Sequence, residues 1–190
     1  MQTLLQVLSG DICADILKYK NRQEQLVRLG GKLLLREMLQ YLGLSSYSLN
    51  TIHKSGNQKP CFPSSGFQFN LAHSGDTSIC AGAMNRSIGV DIEQIKSIDT
   101  TLLLTYLTKN ERNFLSDNPP SSIAHFYRIW TKKEAVLKAA ANDIDDSILQ
   151  KTDTSNEPVI LDGKAFYAHH LYLEDDYIAC VATDKKINPG

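Results

Sequence analysis

Between residues 67 and 93 the chain carries three short apolar runs broken by two polar turns. That pattern restricts this stretch to a small antiparallel sheet. Phe67, Phe69 and Leu71 alternate, as one face of a strand does. Ser74-Gly75-Asp76 separates them from a second run over residues 77–84, and Asn85-Arg86-Ser87 leads to a third over 88–92. The spacing predicts an antiparallel meander.

The flanks read as helices. Ile16, Tyr19, Leu26, Leu29, Leu33, Leu34, Met38 and Leu42 recur at helical intervals, which predicts a helix over 15–42 capped by Gly43. Gly30-Gly31 interrupts it at about 1 kcal/mol per glycine, and such a pair suits close approach of a backbone or ligand. Residues 45–52 read as a weak strand and 53–66 as loop. A helix is expected over 99–115, capped by Asp99 or Thr100, and a second from Ser121 or Ser122 to Ala141. Residues 159–161, 164–170 and 176–183 read as closing strands, with Gly163 at a turn. This order implies an α+β protein of two lobes, residues 1–96 and 97–190.

Composition narrows the class. With 190 residues, 42% hydrophobic, and a formal charge of -1, the chain is neither disordered nor a general nucleic-acid binder. Its four cysteines form no CxxC pair, against a zinc knuckle or a thioredoxin-like centre. No apolar run approaches the roughly 18–20 residues that span a bilayer. The opening MQTLLQVLSGD lacks a basic leader, so a cytoplasmic protein is expected.

Two features carry chemistry. Asp91 and Glu93 lie two apart in GVDIE, on one side of a strand whose other side holds Ile88, Val90 and Ile92. Adjacent carboxylates repel and invite a divalent cation or a proton; a solvated strand end explains them equally well. In residues 127–141, Trp130, Glu134 and Lys138 step by four along one helix face. Lys138 either pairs with Glu134 or reaches a phosphate while Glu134 joins a metal, and spacing leaves both open. His73 closes a strand beside Ser74, Gly75 and Asp76, where backbone N–H groups suit a phosphate or a local turn bond. Walker-type and dinucleotide glycine loops are absent, so phosphates would be held by side chains and a metal.

The segments FNLAHSGDTSICAG at 69–82, IGVDIE at 88–93 and FYRIWTKKEAVLKA at 126–139 resemble the motifs of 4'-phosphopantetheinyl transferases in order and separation. GGKLLLR at 30–36 and Lys59-Pro60 are similar to two further blocks of that family. The subtype resembled is the two-lobed Sfp type rather than the trimeric one-lobe type. The resemblance implies two similar α+β lobes forming a pseudo-dimer with the site between them. It implies Mg2+, or Mn2+, held by Asp91, Glu93 and Glu134. Lys138 matches the lysine on the pyrophosphate of coenzyme A, and His73 the histidine on its 3'-phosphate. Arg28, Lys32, Lys59 and Ser74 fall among the implied cofactor contacts, Arg36 in a supporting role. Glu111 matches an acid between the main blocks.

The sequence departs from the family pattern at Ala72, where serine is usual, at Gln58 before Lys59-Pro60, and at Ala141, near a usual glycine. An opening strand is abbreviated to residues 4–8. The implied reaction moves phosphopantetheine from coenzyme A to a serine of an acyl or peptidyl carrier protein and releases adenosine 3',5'-bisphosphate. Glu134, or Glu93 through a metal-bound water, would take the serine proton. Lys109, Arg112, Lys132 and Lys133 are candidates for a basic docking patch toward an acidic carrier. A length of 190 is long for the trimeric type and suggests a monomer. The alternatives are a non-catalytic coenzyme A binder and another metal-dependent phosphoryl or nucleotidyl transferase. Nucleic acid and membrane are not expected partners.

Overall fold

The structure, a computed structural model, describes residues 8–53, 59–63, 65–99, 103–119, 122–171, 173 and 176–187. Most of the expected opening strand, together with Gln58, Thr100 and Ser121, lies outside them.

Two helices, α1 (Gly10–Leu17) and α2 (Arg22–Tyr41), replace the single helix expected over 15–42. The break follows from Asn21, whose side chain accepts from Gln23 N and Glu24 N and so starts a new helix. Gly30 and Gly31 do not interrupt α2. A side-chain carbon at either position would meet Ser78 or Leu71 only at ordinary contact distance, so the close approach expected for the pair is not what α2 makes there. The weak strand expected at 45–52 is instead a 3-10 turn, Leu49–Thr51, where the Ser48 hydroxyl accepts from Asn50 N. Ahead of the next helix a second 3-10 turn spans Leu103–Tyr106.

Strands β1 (Phe67–Ser74) and β2 (Thr77–Met84) form the expected hairpin, closed by Gly75 at φ +58. The third strand does not extend a meander. Strand β3 (Ile88–Gln94) pairs antiparallel with β6 (Tyr177–Thr183), within a four-stranded sheet ordered β3-β6-β5-β4. Strands β4 (Val159–Leu161) and β5 (Lys164–Leu171) complete it. That sheet therefore takes one strand from before residue 96 and three from after it.

Helices α3 (Lys109–Asp117), α4 (Ser122–Ala140) and α5 (Asp146–Lys151) lie between β3 and β4 in the chain. The helix expected from 99 begins only at Lys109, because Thr108 and Glu111 form a reciprocal capping box that fixes its start. Helix α5 has no counterpart among the expected elements; the Asp145 side chain caps it by accepting from Ile148 N.

Two α+β regions pack together. In one, Leu35 and Leu39 of α2 cover Phe62, Phe67 and Phe69. In the other, Ala135, Val136, Leu137 and Ala139 of α4 lie on Phe166, Cys180 and Ala182 of the four-stranded sheet. The regions meet along β1 and β3. Ala72, Val90, Ile92 and Ala179 share an apolar cluster there, and Asn70 Oδ1 accepts from Val90 N at 2.8 Å. No helix among the described residues is long and apolar enough to cross a membrane.

Candidate active site

The site lies where α4 crosses β3. Gly89 permits the crossing: a side-chain carbon there would collide with Ala135 O and Ala139 N of the helix backbone. With the two backbones this close, Asp91, two residues along β3, meets Lys138 of α4. Lys138 Nζ lies 2.5 Å from Asp91 Oδ1 and 3.0 Å from Glu134 Oε2. The i,i+4 pair read from the helix is therefore present, and it is joined by a carboxylate from another element.

Asp91 is 3% exposed, which removes the solvated strand end as an explanation for it. Its Oδ2 is buried without a hydrogen-bond partner among the described residues. Burial, and then the nearby carboxylates Glu134 and Glu93, push its pKa up to about 8 against the opposing pull of Lys138. Glu93 is also raised, chiefly by burial and further by Glu134, although the Ser74 hydroxyl donates to Glu93 Oε2 at 2.7 Å. Burial pulls the Lys138 pKa down, but Asp91 and Glu134 outweigh it and leave it raised.

Among the described residues no three metal-ligating side chains gather into a ready-made cage. The chemistry of the donors nevertheless suits a hard divalent cation: Asp91 and Glu134 flank Lys138, Glu93 lies within electrostatic range of both, and one buried Asp91 oxygen lacks a donor among the described residues. Lys138 sits between Asp91 and Glu134 and supplies the positive charge that the acids require.

Ser74 links the hairpin to this centre, since its Oγ also accepts from Gln94 N at 3.1 Å. Tyr177 Oη donates to Asp76 Oδ1 at 2.7 Å and ties the turn to β6. His73 stands on the opposite strand face from Ala72, whose methyl is buried in the apolar cluster with Val90 and Ile92. The pKa of His73 is lowered by partial burial and by the charges of Arg28 and Lys138, with Glu24 acting in the other direction. His73 and Arg28 thus stand within electrostatic range of each other and of Lys138, at the margin of the site. Lys59 Nζ donates to Ile88 O at the start of β3, and burial lowers its pKa to about 8. Lys32 lies further along α2, in a cavity with Pro60 and Asn50.

Two expectations change. Lys133 is not part of a docking patch, because its side chain is fully buried and bonds Glu111, Leu149 O and Thr152 O. Lys132 is held by Glu157 and by carbonyls of the 154–156 loop. Glu111 is bonded to Lys133 and Thr154 rather than to Lys138. Asn70 and Gly89 are essential to the site's placement and were not singled out from the sequence. An isolated glycine inside a strand pattern was the available signal for the second.

This arrangement has known counterparts. A family model of the 4'-phosphopantetheinyl transferase superfamily matches residues 87–182. The chain is 30% identical to the 4'-phosphopantetheinyl transferase ffp of Bacillus subtilis, over 98% of this chain and 80% of that protein. It is 29% identical to the 4'-phosphopantetheinyl transferase HetI of Nostoc sp., over 96% and 81%. For psf-1 of Bacillus pumilus the identity is 30%, over 84% and 66%. The chain spans about half to two thirds of the length of several curated relatives it matches (66%, 47% and 51%). The chain belongs to the 4'-phosphopantetheinyl transferase superfamily, and its two packed α+β regions are those of the two-lobed fold.

Proposed function

We propose that this protein transfers the 4'-phosphopantetheine arm of coenzyme A to a serine hydroxyl of an acyl or peptidyl carrier protein, acting as a cytoplasmic monomer. One observation carries the reading: Lys138 bridges Asp91 and Glu134 beside Glu93, with His73 and Arg28 at the margin. A cationic group among acids suits a substrate with separated phosphates and a cation.

His73 and Arg28 bind the 3'-phosphate and orient the donor. Lys59 lies at the nucleotide side. Lys138 binds the pyrophosphate and stabilises charge on the leaving phosphate as the P–O bond breaks. Glu134 takes the proton from the serine hydroxyl while its oxygen forms a bond to the phosphorus attached to pantetheine. The leaving group departs as adenosine 3',5'-bisphosphate. Asp91, Glu134 and Glu93 would hold a Mg2+ or Mn2+ ion, which would add neutralising charge for the pyrophosphate. Ser74 keeps Glu93 oriented toward this centre by its hydrogen bond.

The test is incubation of the folded protein with coenzyme A, Mg2+ and several apo carrier proteins, followed by intact-mass measurement. The expected result is a carrier heavier by one phosphopantetheine, with adenosine 3',5'-bisphosphate released. Asp91→Ala and Glu134→Ala should abolish the gain while remaining folded. No gain on any carrier would overturn the activity, and full activity in either variant would overturn the assigned acids.

A further inference from the structure

Arg28 is held on two sides before any ligand arrives. Its guanidinium carbon lies 3.8 Å from the centroid of the Tyr19 ring. Its Nε and Nη2 donate to Glu24 Oε1 at 3.2 and 2.9 Å. Lys18 Nζ stands 5.3 Å from the same ring, but is engaged by Asp15. Tyr19 lies in the break between α1 and α2, and its carbonyl accepts from Gln25 Nε2 at 2.7 Å. The ring is thereby fastened to the first turn of the helix that carries Arg28.

That helix is in turn fixed against the histidine strand. Ser78 is the cross-strand partner of His73, and its Oγ donates to Val27 O at 2.6 Å, one residue before Arg28. Glu24 occupies only the Nε and Nη2 edge of the guanidinium, which leaves Nη1 with no hydrogen bond among the described residues. A flexible arginine loses considerable side-chain freedom when it grips a ligand. A stacked one has surrendered much of that freedom already, and its planar fork suits an anion that accepts several hydrogen bonds.

We propose that Tyr19 is a positioning residue for phosphomonoester recognition: its ring holds Arg28 beside His73, so that the guanidinium and the imidazole together select a donor bearing the 3'-phosphate over one lacking it. The inference rests on the coenzyme A reading above and deepens it. Tyr19 touches no reacting atom. It acts through Arg28, so its effect falls on discrimination rather than on the transfer step.

The experiment is calorimetric titration of the intact protein with coenzyme A and with 3'-dephospho-coenzyme A. Wild type should prefer coenzyme A. In Tyr19→Leu the preference should narrow by about fivefold, with binding of the dephospho form unchanged. Tyr19→Phe keeps the ring face and should retain the full preference. Arg28→Lys keeps the charge without the planar fork and should narrow it independently. An undiminished preference in Tyr19→Leu, or equal weakening of both ligands, overturns the role of Tyr19 alone. A wild type that binds neither ligand overturns the donor assignment and this inference with it.

Discussion

Lys138 Nζ lies 2.5 Å from Asp91 Oδ1, a contact between a helix and a strand that are 47 positions apart in the chain. It depends on the backbones of α4 and β3 approaching at Gly89. Gly89→Ala should therefore separate the two elements, costing about 3 kcal/mol of stability, and should remove transfer activity. Urea denaturation and the carrier mass assay measure the two effects. Unchanged stability would show that α4 yields without disturbing the crossing.

A second ion pair serves a different purpose. Lys133 gives its three hydrogens to Glu111 Oε2, Leu149 O and Thr152 O at 2.7, 2.8 and 2.6 Å. Glu111 in turn accepts from Thr108 N, Thr154 N and Thr154 Oγ1. Removing either partner strands a buried charge, so Glu111→Ala or Lys133→Ala should lose about 3–5 kcal/mol. The double variant Glu111→Leu with Lys133→Met should recover part of that loss in the same denaturation experiment.

Ala141 ends α4 with φ +57, in the left-handed region where a side-chain carbon is strained. Asn142 N closes the helix end on Leu137 O at 3.2 Å. Ala141→Gly should stabilise the protein by about 1 kcal/mol, read as a higher denaturation midpoint at unchanged slope.

Lys59 has a folded pKa lowered by burial from 10.5 to about 8. Below pH 8 it is charged in both folded and unfolded states, and burial of the charge opposes folding. As pH rises from about 8 to 10.5 the folded form sheds the proton first, so this penalty is relieved. Lys59→Met should consequently be more stable than wild type at pH 7, by a margin that shrinks toward pH 10. Thermal unfolding across that range checks the sign. Coenzyme A binding should weaken over the same rise in wild type.

Much of the site was legible as a list of residues. Alternation identified Asp91 and Glu93, and steps of four joined Glu134 to Lys138. The local pattern also marked both hairpin strands and the closing strands, because those signals come from side chains near one another in sequence. Other features escaped it, and three show why. Asn21 splits a long apolar helical pattern by capping, a local bond that outweighs periodicity. Strand β3 follows a turn after β2, yet its hydrogen bonds go to β6. Lys133 looks like an ordinary helix charge until its three buried acceptors are placed around it.

The sequence by itself determined the type of most of the long helices and strands, the acidic and basic residues available, and the family motifs. Only the tertiary structure decided which of them meet. Pairing β3 with β6 sets α4 over Gly89, and that crossing brings a buried aspartate to a lysine. It likewise separated the site lysine from its neighbour Lys133. The physical reason is that strand partners and helix rotation are set by burial and hydrogen bonding over the whole chain, which no local pattern encodes.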